Sequence, residues 1–397
     1  MIERTFPVVD SDSHIFEPAA LWDQYVPSGY EGLARSALWH FEDAGRRLTV
    51  LNGQPAKEMN RSAINRQAIW RPGMSLDDIG SLDPSIPHAV NPGASDPSAR
   101  LADMDALGID QAIVYPTLFL EYHPLVADTI AADVLARAYN DWVADFAAAG
   151  DGRLHPVAVL PLQSLPLAQR ELDRIAAKGF RAAALRPMFY SGAYIEGDLF
   201  QPLWRQLEDL GVVACVHPSV GITNPEPTSA GAHAERVSER LRIGHSVAEA
   251  VAGIQDAGVF LTAATFHGLL EDFPNLKLAL GHSGATMVPL VLEKAETYLW
   301  LGSGFGRSGP VSLEPEEVFH EHPVLTSFDS WETPVARMPD EFADIAGWGS
   351  RYPNHDTGTP AEAIDMLRAH DVDEDVIAQL MGGNAIELFG LKVSVTT

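Results

Sequence analysis

Five places in this 397-residue chain carry side chains able to hold a metal ion or move a proton: the run Asp10-Ser11-Asp12-Ser13-His14, then His217, His282, Asp329 and Arg351. Asp12 and His14 are two residues apart, so on a strand they share a face and can address one ion. With His217 they offer one carboxylate oxygen and two imidazoles, a mixed donor set that suits zinc, manganese or iron and leaves a coordination position open. Arg186 has the geometry to grip a substrate carboxylate in bidentate fashion, or equally to close an ion pair at the rim. Cys215, the single cysteine, reads as a small buried apolar residue.

These residues meet only if the chain brings them to one end of a common scaffold. Eight short apolar runs recur, at 6–10, 111–116, 154–162, 180–187, 212–218, 276–282, 324–329 and 345–350. Each is continuously apolar rather than alternating, as suits a strand of a parallel sheet buried on both faces. Amphipathic helical stretches separate them, at 98–107, 126–149, 165–178, 200–210, 246–273, 285–300 and 360–370. Gly108 and Gly211 stand just past two of these, and Pro360 opens the last, the expected chemistry for helix ends and starts. The alternation predicts an α/β fold, a closed (β/α)8 TIM barrel, over an open doubly wound sheet, and no Gly-x-Gly-x-x-Gly follows the first run. In such a barrel the C-terminal strand ends face the active site, which places Asp12 and His14 on strand one, Arg186 on four, His217 on five, His282 on six, Asp329 on seven and Arg351 on eight. The whole of 1–397 is expected to form one domain, with 28–97 a cap inserted after strand one and 219–245 a lid loop. Within the cap, 38–42 and 47–51 flank Asp43-Ala44-Gly45 as a hairpin.

Composition narrows the partners. Twenty-seven Lys+Arg against 54 Asp+Glu give a formal charge of −27, which disfavours nucleic acid and anionic membrane surfaces. Hydrophobic residues make up 46%, enough for a compact core rather than a disordered chain. One cysteine permits no internal disulfide, the start lacks a basic and then apolar leader, and no apolar run approaches the roughly 20 residues of a membrane span. A cytoplasmic protein acting on a small molecule is the expectation. Arg61, Arg66, Arg71, Arg186 and Arg351 would make one barrel mouth locally positive within an acidic shell.

The segments VVDSDSHIFEP, ACVHPS, LALGHSGATMVP and GGNAIELFGL, spread from Val8 to Leu391, resemble the amidohydrolase-related family, the branch of the amidohydrolase superfamily that holds aminocarboxymuconate-semialdehyde and resorcylate decarboxylases. The resemblance implies a barrel enzyme performing C–C lysis, most simply non-oxidative decarboxylation, on a small carboxylated or enolisable substrate. It implies metal ligands at Asp12, His14 and His217 for one divalent ion, zinc or manganese, a proton-transfer role for His282, and a homodimer. The same groups would serve a metal-dependent hydrolase or hydratase using an activated water.

One position departs from the family. Its members end strand eight with an aspartate before Tyr-Pro, whereas this chain reads Gly349-Ser350-Arg351-Tyr352-Pro353. Unit charges at about 4 Å and an effective dielectric near 20 interact by about 4 kcal/mol, so a cation there opposes a divalent ion. Three arrangements follow. Arg351 turns away while Asp329 or Asp356 replaces the lost ligand; the guanidinium takes the metal's place, paired with Asp12 or Asp329, and offers fixed charge to an anion; or the barrel is non-catalytic and binds a small acid.

Overall fold

A computed structural model describes residues 4–43, 46–56, 68–83, 86, 88–218, 245–302 and 311–392. Eight parallel strands run in chain order around one sheet: β1 (Val9–His14), β2 (Gln111–Tyr115), β3 (Leu154–Val159), β4 (Ala182–Leu185), β5 (Val213–Val216), β6 (Leu278–Leu280), β7 (Val324–Phe328) and β8 (Ala346–Trp348). The last strand returns to the first. Arg351 N donates to Asp12 O at 2.8 Å, His14 N to Tyr352 O at 2.7 Å, and Ser11 Oγ to Trp348 O at 2.8 Å. The sheet therefore closes into the expected (β/α)8 barrel.

The helices match their sequence signals. They are α1 (Pro97–Leu107), α2 (Thr129–Ala148), α3 (Leu165–Ala177), α4 (Gln201–Leu210), α5 (His245–His267), α6 (Met287–Gly302) and α7 (Pro360–Ala369). Gly108 and Gly211 take the left-handed conformation that ends α1 and α4, and Thr359 with Glu362 forms a capping box at α7. The stretch expected as one helix to 273 breaks at Gly268, whose φ of 73° stops α5 before a separate turn, Leu269–Asp272.

Side chains that point into the barrel, among them Val9, Ile113, Val157, Val213, Cys215 and Leu325, form one buried cluster, and a larger one lies between sheet and helices. Cys215 is a fully buried free thiol in that interior, its ionisation pushed up to about 12 by burial.

β1 is the element that departs from expectation. The strand carries Asp12 and His14 as expected, through Asp-Ser-Asp-Ser-His, but its register against β2 slips between Asp10 and Ser13. This bulge inserts one residue and re-aims the side chains beyond it. A buried polar frame replaces apolar packing there. Asp10 accepts from Ser350 N at 2.8 Å, and Arg100, 1% exposed, donates to Gly93 O, Ser13 Oγ and His14 O while lying 4.2 Å over the Tyr352 ring.

Between β1 and α1 the hairpin strands Leu38–Asp43 and Arg46–Leu51 pair antiparallel as expected. Farther on, the short helix Leu76–Gly80 is capped by Ser75, and Trp70 N donates to Pro353 O beside the end of β8. Residues 60–67 of the arginine-bearing stretch 60–74, and 219–244 of the expected lid 219–245, lie outside the described residues. Among the described residues no helix is long and apolar enough to cross a membrane.

Candidate functional site

At the C-terminal end of the barrel, Asp12 Oδ1 stands 3.4 Å from His14 Nε2 and 3.5 Å from His217 Nε2. His14 Nδ1 pairs with Pro116 O at 3.2 Å and His217 Nδ1 with Pro218 O at 2.6 Å. A carbonyl can only accept, so each Nδ1 carries the proton and each Nε2 turns a lone pair toward the carboxylate. All three atoms are buried and without a hydrogen-bond partner. Three acceptors converging in a buried space are unfavourable unless a cation joins them. Metal–ligand bonds of about 2.1 Å in a tetrahedral site put ligand atoms roughly 3.4 Å apart, the spacing seen here. The donor set fits one divalent ion.

Glycines make room for these ligands. A Cβ on Gly349 would sit 2.5 Å from Asp12 Cβ, and one on Gly281 would sit 2.7 Å from His217 Cδ2.

His282 comes next to this cluster. One ring nitrogen of each of His14, His217 and His282 lies within 4.8 Å of the others. Its backbone is in the left-handed region, φ 53°, and its N–H donates to Asp12 Oδ2 at 2.8 Å, where Ser327 Oγ also donates at 3.2 Å. Asp12 thus faces His14 and His217 with one oxygen and fixes His282 with the other. Burial, then Arg351 and His217, lower the His282 pKa to about 3, so the imidazole is neutral at neutral pH.

His282 also lines a cavity of 760 Å³, shared with Asp329, Glu332, Arg351, His355 and Asp356 and with the aliphatic side chains of Leu76, Ile79, Ile254, Met287 and Leu290. Arg351 is likewise left-handed, φ 59°. Its Nη1 donates to Asp356 Oδ2 at 2.8 Å and its Nη2 lies 3.9 Å from Asp329 Oδ2. The arrangement mixes two of the alternatives raised by the sequence: the guanidinium turns toward Asp329 and Asp356, and those acids hold it instead of supplying a replacement ligand. Asp329 also accepts from Trp331 N at 2.9 Å, shaping the turn after β7.

Arg186 lies deeper than a rim residue. It is 1% exposed, donates to Glu121 O at 2.7 Å, and is not among the residues lining this cavity. Arg71 is exposed and reaches the Ala89 and Val90 carbonyls, and Arg61 and Arg66 fall outside the described residues. Of the three described arginines expected to make the mouth positive, Arg71, Arg186 and Arg351, the last lines the cavity, beside three carboxylates. Sequence reasoning missed Glu332, which accepts from Thr286 N at 2.7 Å just before α6, and whose pKa burial raises despite that bond. It missed Ser327 too; a serine ending an apolar strand run was the available signal.

Comparison with known proteins agrees with this geometry. A profile of the amidohydrolase family matches residues 13–391. The chain is 29% identical over 308 residues to a gamma-resorcylate decarboxylase of Polaromonas sp., covering 74% of this chain and 87% of that one. Among solved structures, an amidohydrolase from Mycobacterium avium subsp. paratuberculosis superimposes with a TM-score of 0.77 at 18% identity over 98% of this chain and all of that one. A dihydroxybenzoic acid decarboxylase from Polaromonas sp., with bound manganese and the inhibitor 2-nitroresorcinol, gives 0.60 at 20% identity over 97% of each chain.

Proposed function

The chain belongs to the amidohydrolase family, and on that premise we propose that it is a metal-dependent, non-oxidative decarboxylase of a small aromatic or enolisable carboxylic acid. The observation that carries the reading is the convergence of Asp12 Oδ1, His14 Nε2 and His217 Nε2, all buried and unpaired, beside a histidine that opens onto a cavity. The names of its relatives support the reaction class. The relative solved with manganese supports a single divalent ion, held here by Asp12, His14 and His217.

Non-oxidative decarboxylation replaces a carboxylate by a proton. The C–C bond breaks, its electron pair stays on the substrate carbon, carbon dioxide leaves, and a proton arrives at that carbon. A divalent ion, when bound, polarises the carboxylate or a neighbouring hydroxyl. His282, neutral and next to the cluster, accepts the proton of an acidic substrate group and delivers it to the carbon. Asp12 orients His282 through its backbone N–H. Arg351 offers positive charge at the cavity wall, tempered by Asp356 and Asp329. Arg186, buried at the strand-four end, donates to Glu121 O. The single cysteine favours a cytoplasmic setting, and a homodimer is the assembly to look for by sedimentation.

The test is carbon dioxide release from a panel of hydroxylated benzoic acids by manganese-supplemented enzyme, beside His282→Ala. Turnover of at least one acid that falls a hundredfold or more in the variant is the expected result. Undiminished turnover in His282→Ala would remove the histidine from the mechanism.

A further inference from the structure

The cavity beside His282 is larger and more apolar than a single-ring acid needs. A space of about 150 Å³ is enough to hold benzene, whereas this cavity measures 760 Å³. Its lining holds three carboxylates, Asp329, Glu332 and Asp356, and one guanidinium, Arg351. The same lining includes Leu76, Ile79, Ile254, Met287 and Leu290, contributed by the short helix after Ser75, by α5 and by α6. These side chains grade outward: Ile79 and Met287 are 4% and 5% exposed, while Leu76, Ile254 and Leu290 are 52%, 52% and 60% exposed. Three aliphatic side chains left half in water at the wall of a cavity that also holds His282 and Arg351 are what an apolar ligand group would cover.

We propose that the substrate is an acid with an uncharged apolar extension, an alkyl chain or second ring, whose carboxylate end lies toward His282 and Arg351 and whose extension runs along the wall formed by Ile79, Met287, Ile254 and Leu290. The proposal rests on the decarboxylase reading for which end of the ligand reacts. Met287, unbranched and adaptable, accommodates different extensions. The three carboxylates in the lining select against an extension that carries a second negative charge.

The probes are benzoate, its 4-methyl to 4-butyl derivatives, and terephthalate, titrated calorimetrically into the full-length protein with manganese present. Burying a methylene is worth about fourfold in affinity, so 4-butylbenzoate should bind on the order of a hundredfold more tightly than benzoate, and terephthalate more weakly. Leu290→Gln and Ile254→Gln, both at exposed positions that tolerate polarity, should each cut the butyl-to-benzoate ratio at least several-fold. A flat series, or a ratio unmoved in both variants, overturns the proposal. If the ratio behaves as stated but no acid loses carbon dioxide, the ligand class stands and the decarboxylase reading falls. If single-ring acids are decarboxylated and chain length has no effect, the reverse holds.

Discussion

Gly349→Ala isolates the metal centre from the fold. Gly349 follows β8, and its N–H donates to Phe328 O at 3.0 Å. A methyl there would lie 2.5 Å from Asp12 Cβ and 3.4 Å from Asp12 Cα. Carbon atoms rest at about 3.5–4.0 Å, so Asp12 must retreat by about 1 Å. Its Oδ1 now stands 3.4 and 3.5 Å from the two Nε2 atoms, close to the roughly 3.4 Å edge of a tetrahedral site. A displacement of that size leaves the carboxylate out of bonding range unless the histidines follow. The expected result is a loss of manganese affinity of about tenfold to a hundredfold, the range seen when groups that position ligands are disturbed. Overpacking should cost about 1–3 kcal/mol of stability. Gly347→Ala is the control: on the same strand its methyl meets Leu325 Cδ1 at 2.8 Å, the flexible end of a side chain. It should lose stability without losing metal. Manganese titration followed by electron paramagnetic resonance, beside urea unfolding, reads both quantities. If Gly349→Ala binds manganese as tightly as the parent while its urea midpoint falls, or if the control loses metal equally, the reasoning about Asp12 is wrong.

Other perturbations test other parts. Arg351→Asp exchanges the cation for an acid beside Asp356 and Asp329, and with unit charges at about 4 Å worth about 4 kcal/mol, divalent affinity should rise at least about tenfold in a competition titration; an unchanged constant would show that Arg351 does not oppose the ion. Arg100→Met strips the donors from Gly93 O, Ser13 Oγ and His14 O and should cost about 3 kcal/mol in urea unfolding, whereas a cost under about 1 kcal/mol would deny the buried frame its role. His123 is 1% exposed, bonded to Ala132 O, and lowered to about 4 by burial. Because the folded value lies below the ordinary 6.5, the unfolded chain takes up the proton first. Stability is full above about 6.5 and falls by about 3 kcal/mol toward pH 4, and a His123→Gln variant with an unaltered slope over that window would contradict this.

The barrel was legible because eight continuously apolar runs alternate with helices whose ends carry Gly, Pro and Thr in their usual places. Asp12, His14, His217 and His282 were legible for a related reason: a polar residue ending an apolar run stands out. The bulge within β1 was not, since it is set by pairing with β2 about 100 positions on and by partners of Asp10 and Ser11 more than 300 positions away. Arg186 shows the limit of reasoning by strand ends. An arginine after β4 could face a ligand or close an ion pair at the rim, and its 1% exposure with a bond to Glu121 O shows a burial that strand-end position alone does not give. The pocket wall was invisible for a third reason. Leu76, Ile254 and Leu290 sit on elements whose pattern says only that they are helices, and which helix faces border the site depends on the closed barrel.

The most direct test of the central claim is the metal content of protein purified without chelator and dialysed against a manganese buffer, measured by elemental analysis beside Asp12→Asn and His217→Ala. One equivalent of divalent ion in the parent and loss of it in both variants is the predicted result. A metal-free parent, with uptake appearing only in Arg351→Asp, would show that the guanidinium has displaced the ion and that Asp12, His14 and His217 no longer hold one.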